Sequence, residues 1–220
     1  GPIGVSSPKY QAFETAIGKR QFVNDMHFDG MLFGALHFSA HPRARVLSID
    51  TSKAKGMPGV KGIFTARDIP GDRVVGLIFK DWPMMIDVGE TTSYIGDVLA
   101  GVVAETEEQA RLAAAEIRVE YEILQPIIDP EEAIKDNSPK VHKHSSNLLE
   151  TCKLYKGNPD QALSAAAYSF SGSFTTQRIE HAFLETESAL ALWEDDGIIL
   201  YSGGQGIYED RRQVAQVLSL

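Results

Sequence analysis

Between residues 97 and 124 the apolar pattern changes period twice within one short unit. Val98, Leu99, Ala100, Val102, Val103 and Ala104 form a nearly continuous apolar run, which predicts a buried strand. An alanine-rich stretch follows, and then Val119, Tyr121 and Ile123 alternate with charged residues, which predicts a strand with one wet face. Thr106 and Gln109 have the spacing of a capping box. The threonine oxygen accepts from a free backbone amide at the helix start, and the glutamine side chain reaches back to the amide of the cap residue. Ala110, Leu112, Ala113, Ala114, Ala115 and Ile117 supply a narrow, small-residue face suited to close packing on a sheet.

Upstream, the pattern alternates strand and helix at close spacing. Val46-Leu47-Ser48-Ile49 reads as a strand, Asp50-Thr51-Ser52 offers capping side chains to a short helix, and Gly56 and Pro58 end that helix. Residues 60–64 read as a strand, and Thr65-Ala66-Arg67-Asp68 as one helical turn closed by Pro70. In residues 21–39, Phe22, Met26, Phe28, Leu32, Phe33 and Leu36 are interrupted by Asp29-Gly30, which predicts two short strands in a hairpin or at a sheet corner. Residues 1–17 carry little pattern and read as an arm.

Pro126, Pro130 and Pro139, an acidic turn at 129–134 and a polar stretch to Asn147 mark a change of character. Beyond it, Asn158-Pro159-Asp160 starts a helix through Ala167, and Tyr168, Phe170, Gly172 and Phe174 alternate as a strand would. Residues 188–193 and 198–201 form a hairpin across Asp195-Asp196-Gly197, and a last helix runs from Ile207 to Leu220. The expected class is α+β in two domains: an arm at 1–17, a first domain at 18–125, a linker at 126–157, and a second domain at 158–220 whose sheet is incomplete.

Composition narrows the function classes. The formal net charge of -9 and the lack of a dense Lys/Arg cluster argue against nucleic-acid binding, which needs a basic phosphate-tracking surface. A single cysteine, Cys152, excludes an internal disulfide or a cysteine-rich metal cluster built from this chain alone. No apolar run approaches the roughly 18 residues needed to span a bilayer. The expected location is the cytoplasm, with no membrane partner.

Three constellations carry candidate chemistry. His142, His144 and Cys152 are metal-ligating types, but their spacing fits no closed zinc site. Glu180-His181, followed by Glu185 and Glu187, holds the inventory of a general acid/base site; the same residues also suit a solvated strand edge. Gly203-Gly204-Gln205-Gly206 before a helix resembles a phosphate cradle, yet Glu209 and Asp210 already occupy the positive end of that helix. The glycines suit close approach of a bulky group, with the neutral amide of Gln205 as donor.

Several segments together resemble the molybdenum subunit of the xanthine dehydrogenase and aldehyde oxidase family. They are Phe22-Val23-Asn24-Asp25-Met26, His41-Pro42-Arg43-Ala44, Val46 to Asp50, Ala54-Lys55-Gly56-Met57-Pro58-Gly59-Val60, and the unit from Gly96-Asp97-Val98 to Val119-Glu120-Tyr121-Glu122. These resemble the α/β hammerhead domain of that family. Glu180-His181-Ala182-Phe183-Leu184-Glu185-Thr186 resembles a strand of the molybdopterin-binding portion, with Ala182 where an aromatic residue is frequent. Tyr201-Ser202-Gly203-Gly204-Gln205 resembles the strand and turn that deliver a glutamine to the molybdenum centre.

The resemblance implies an α/β hammerhead domain followed by the incomplete start of a molybdopterin-binding α+β domain. It implies hydroxylation of a purine, another N-heteroarene or an aldehyde, with electrons leaving through iron–sulfur clusters and FAD on other domains or subunits. It assigns Gln205, Gly204 and Gly206 to cofactor binding, Glu180, His181, Phe183 and Glu185 to structure near the site, and no direct metal ligand to this chain. The catalytic glutamate base, the other pterin-binding loops and the substrate-placing arginines belong to downstream sequence. The chain then reads as an N-terminal fragment that binds molybdopterin only with the remainder of its subunit and is inactive alone. The alternative is a non-catalytic docking module of a redox complex.

Overall fold

The computed structural model describes residues 3–142, 145–195 and 197–220. His144 and Asp196 lie outside the described residues. The elements in order are α1 (Ala12–Ala16), β1 (Phe33–Phe38), β2 (Ala44–Asp50), α2 (Ser52–Lys55), β3 (Val60–Thr65), β4 (Val74–Val75), β5 (Trp82–Pro83), β6 (Val98–Ala104), α3 (Glu107–Ala115), β7 (Arg118–Ile123), α4 (Pro130–Ala133), α5 (Pro159–Ala165), β8 (Ala189–Glu194), β9 (Gly197–Ser202) and α6 (Ile207–Leu218). The chain divides into two compact units, Gly1–Ile128 with Glu185–Leu220, and Asp129–Leu184.

In the first unit β6 lies between β1 and β3, antiparallel to both. Its apolar run is explained by that central place, since both edges are hydrogen-bonded and one face is covered by α3. The chain then leaves this sheet through α3 and pairs β7 with β2 in a second, two-stranded antiparallel sheet. The helix therefore joins two sheets.

The expected capping box forms. Gln109 N donates to Thr106 Oγ1 at 3.2 Å, and Thr106 N donates to Gln109 Oε1 at 3.1 Å. Ala110, Ala113, Ala114 and Ile117 are buried, and Ala113, Ala114 and Ile117 pack on Ala54, Ala100 and Val102. Small side chains let the helix backbone approach the sheet closely. His37 on β1 adds a polar tie: its Nδ1 lies 2.8 Å from Ala114 O, and because a carbonyl only accepts, the imidazole donates from Nδ1. A second cluster of Val46, Ile86 and Leu99, with Ile49, Val119 and Tyr121 against it, links the two sheets.

The loop from β5 to β6 is held by buried polar groups. Thr92 accepts from Ala44 N at 2.9 Å, and Asp97 Oδ2 accepts from Ser93 N at 2.5 Å, so these side chains are satisfied where water is excluded. Arg73 reaches across to Glu90 as a two-pronged fork, at 3.1 and 2.7 Å, and also donates to Met85 O at 3.2 Å.

Three expectations are corrected. The first of the two strands expected in residues 21–39 is absent, and a 3-10 turn at Val23–Asp25 takes its place. Asp25 Oδ2 accepts from Phe22 N at 2.9 Å, so a local side-chain bond outcompetes an extended backbone. Leu112 and Ala115 point to solvent, leaving the packed face of α3 narrower than its alanine content suggests. Tyr168, Phe170 and Phe174 form no strand and are 95%, 90% and 89% exposed. Alternation alone does not make a strand; a neighbouring backbone has to accept and donate its hydrogen bonds.

In the second unit Asp129 caps α4 by accepting from Glu131 N and Glu132 N at 2.8 and 2.9 Å. Asn158 caps α5 by accepting from Gln161 N at 3.1 Å. Asn147 closes the polar stretch, donating to Ala133 O and Pro139 O and accepting from Val141 N, each at 2.9 Å.

Candidate functional site

The hairpin of β8 and β9 pairs in register from Ala189↔Ser202 to Glu194↔Gly197. Asp195 sits at φ 50 in its turn, a left-handed conformation that Asp tolerates. β9 ends at Ser202 and hands the chain directly to Gly203-Gly204-Gln205-Gly206, after which α6 begins. Gly206 occupies the cap position, where its carbonyl accepts from Asp210 N at 2.8 Å. Gln205 is exposed and makes no hydrogen bond among the described residues. Its amide is thus available on a turn whose two flanking elements fix where it stands.

The reason for glycine in this turn is close approach rather than an unusual backbone angle, since none of its glycines has a positive φ. A Cβ at Gly204 would fall 2.1 Å from Asp210 Oδ2 and 3.5 Å from Ser202 Oγ. The Asp210 carboxylate therefore lies over the turn. A Cβ at Gly203 would stand at ordinary contact, 3.6 Å from Glu185 Oε1. The structure so brings Glu185 and Asp210 to the same glycine pair, a feature the order of residues in the sequence does not reveal.

Beside the turn is a cavity of about 550 Å³, within the size range of small-molecule pockets. Met84, Ala189, Leu200 and Val214 give it apolar walls, and Gly204 and Asp210 stand at its polar side. Glu209, in the first turn of α6, is engaged by Arg212, whose Nε donates to Glu209 Oε2 at 2.8 Å while Nη1 donates to Gln216 Oε1 at 2.9 Å. The helix start carries two carboxylates, and among the described residues a guanidinium bonds Glu209 but not Asp210. It does not suit a phosphate, and a neutral or hydrogen-bonding group is the better match for the Gln205 amide.

Glu180, His181 and Phe183 belong to the second unit and are exposed, in backbone that forms no strand. The strand expected for Glu180 to Thr186 is corrected accordingly: Ala182 turns the chain at φ 48, and its amide lies 3.4 Å from Glu180 Oε1. Glu185 belongs to the first unit. Cys152 is exposed. No group of three or more His, Cys, Asp or Glu among the described residues is arranged to hold a metal ion. The Gln205 amide, exposed and unbonded among the described residues, is of a type that fits a hydrogen-bonding contact to a bound cofactor.

Comparison with known proteins converges on the same regions. The family model described as aldehyde oxidase and xanthine dehydrogenase, a/b hammerhead domain, matches residues 17–125, and that of a molybdopterin cofactor-binding domain matches residues 141–220. The chain is 34% identical over 204 residues to a probable xanthine dehydrogenase subunit of Bacillus subtilis (strain 168), covering 92% of this chain and 27% of that protein. It is 30% identical over 219 residues to the nicotinate dehydrogenase large molybdopterin subunit of Eubacterium barkeri, covering 99% of this chain and 51% of that one. The fold is similar to the aldehyde oxidoreductase from Desulfovibrio gigas, with a TM-score of 0.82 at 24% identity over 97% of this chain and 25% of the other. The expected α+β hammerhead architecture is thereby shown. The chain spans between about a quarter and a half of the length of these relatives.

Proposed function

Because the chain belongs to the xanthine dehydrogenase and aldehyde oxidase family, we propose that it supplies the hammerhead domain and one wall of the cofactor site in a molybdenum hydroxylase subunit. The observation that carries this reading is Gln205, an exposed, unbonded amide on a glycine turn clamped between β9 and α6. Such an amide orients and tunes an oxygen of a bound group without ligating the metal. Gly204 and Gly206 give the backbone room there. The molybdenum cofactor, when bound, supplies the redox chemistry of hydroxylating a purine, another N-heteroarene or an aldehyde. This chain's part is to present the amide, to keep one side of the pocket apolar and to hold the Asp210 and Glu185 carboxylates back against the turn.

Iron–sulfur and flavin domains or subunits are the partners for the electrons in this reading, and the cytoplasm is its compartment. Among the described residues no helix is long and apolar enough to cross a membrane. A docking role is the second reading, favoured by Leu36, Phe38 and Phe64, each about half exposed on the three-stranded sheet. Elemental analysis separates the two. Molybdenum in the subunit extended to its stop codon or assembled with its neighbours, and none in the 220-residue chain, is the expected result. Metal in neither form, under conditions that mature a related enzyme, would overturn the enzyme reading and leave the docking module.

A further inference from the structure

The C-terminal end of α6 is fastened to a loop far away in the sequence. Gly71 N donates to Val217 O at 2.9 Å and Asp72 N donates to Gln216 O at 3.0 Å. These carbonyls belong to the last turn of the helix, where the ladder runs out of amides; Gln216 O also accepts from the cap amide of Ser219, at a long 3.4 Å. Ser219 completes the contact by donating from its hydroxyl to Pro70 O at 3.1 Å. The fit is tight: a Cβ on Gly71 would lie 2.0 Å from Gln216 O and 2.9 Å from Val217 O, both backbone atoms with no side-chain freedom to withdraw.

At its other end the same helix is joined without a spacer to the Gln205 turn, and Asp210 lies over Gly204. A helix of 12 residues is a stiff rod of about 18 Å, so fixing its last turn fixes its axial position and its rotation at the first. We propose that Gly71 is a positioning residue for Gln205, acting through α6. The loop amides set the helix, the helix sets the glycine turn, and the turn sets the amide. This rests on the role given to Gln205 above, but the mechanical coupling is measurable without it.

Amide hydrogen exchange, followed by mass spectrometry on the complete cofactor-loaded subunit, reads the coupling directly. Gly71→Ala is expected to raise exchange about tenfold in peptides covering 208–213, whose first bonded amide is Asp210 N on Gly206 O, the size expected from losing one or two hydrogen bonds, with peptides covering 98–115 unchanged. A rise confined to 216–220 would make the contact a local cap and overturn the proposal, as would an equal rise everywhere. If Gly71→Ala does not fold, Ser219→Ala decides: a smaller rise at 208–213 upholds the coupling, and none overturns it. Coupled exchange with wild-type turnover in Gln205→Ala leaves the anchor standing and removes the role of Gln205.

Discussion

Gly59 and Gln109 are fitted to one another: a Cβ on Gly59 would stand 2.2 Å from Gln109 Oε1, the same oxygen that accepts from Thr106 N at the start of α3. Gly59 also sits at φ +80 and accepts from Glu105 N at 3.0 Å, so the turn before β3 and the cap of α3 share one space. Gly59→Ala strains the left-handed backbone and displaces the capping glutamine together. A loss of about 1–2 kcal/mol follows from the conformation alone, and urea unfolding measures it. Gly34→Ala, where a Cβ meets nothing within 4 Å, is the control and stays near wild type. Equal midpoints for the two variants would refute the fit.

Arg73 is the second point of vulnerability. Its guanidinium spans both oxygens of Glu90 and a backbone carbonyl, and its pKa is raised above the ordinary arginine value, chiefly by the Glu90 hydrogen bonds. Arg73→Ala should cost about 1–2 kcal/mol after allowing for partial solvent screening. Arg73→Lys should recover less than half of that, because a point charge does not reproduce the fork. Full recovery by lysine would mean that charge alone matters here.

The carboxyl of Asp50 is held below its ordinary value of 3.8 by hydrogen bonds from Ser52, first from its side chain and then from its backbone, with Arg118 adding to them. A depressed carboxyl contributes stability that is present above its unfolded value and is lost as the pH falls through the folded one. The melting temperature of Asp50→Ala should therefore lie below wild type at pH 7, with the gap closing as the pH drops below 3.8. A gap of constant size across that range would assign the effect to something other than the charge.

Gln205→Ala, made in the complete subunit, should keep its molybdenum content and its thermal stability and lose at least about tenfold in turnover, the effect of removing one charge-responsive hydrogen bond. Gln205→Glu tests the neutrality argument. A carboxylate there adds a third negative charge near Glu185 and Asp210, and should impair turnover as much as alanine does. Wild-type rates in a fully metallated Gln205→Ala enzyme would remove the role.

Local chemistry made most of the first unit legible. The Thr106 cap, the buried run of β6 and the alternation of β7 are each written within a few residues, and each forms. The turn at Gly203 to Gly206 was visible for the same reason. What failed depended on competition or on partners. Asp25 reaches back to Phe22 N and turns a segment whose spacing suits a strand, while residues 168–174 alternate correctly but find no strand to pair with. Asp210 over Gly204 and Gly71 against Val217 have no signature in the sequence, because the contact exists only once distant backbone has been brought together.

The tie between Ser219 and Pro70 joins positions 149 residues apart, and it sets a clock on biosynthesis. A ribosome adding about 5–20 residues each second needs on the order of 10 s to go from one partner to the other. During that interval the amides of Gly71 and Asp72 have no α6 carbonyl to bond. The last turn of the helix to be made is the one that closes the contact, so under the coupling proposed above the glycine turn reaches its final posture only once the end of α6 has left the exit tunnel.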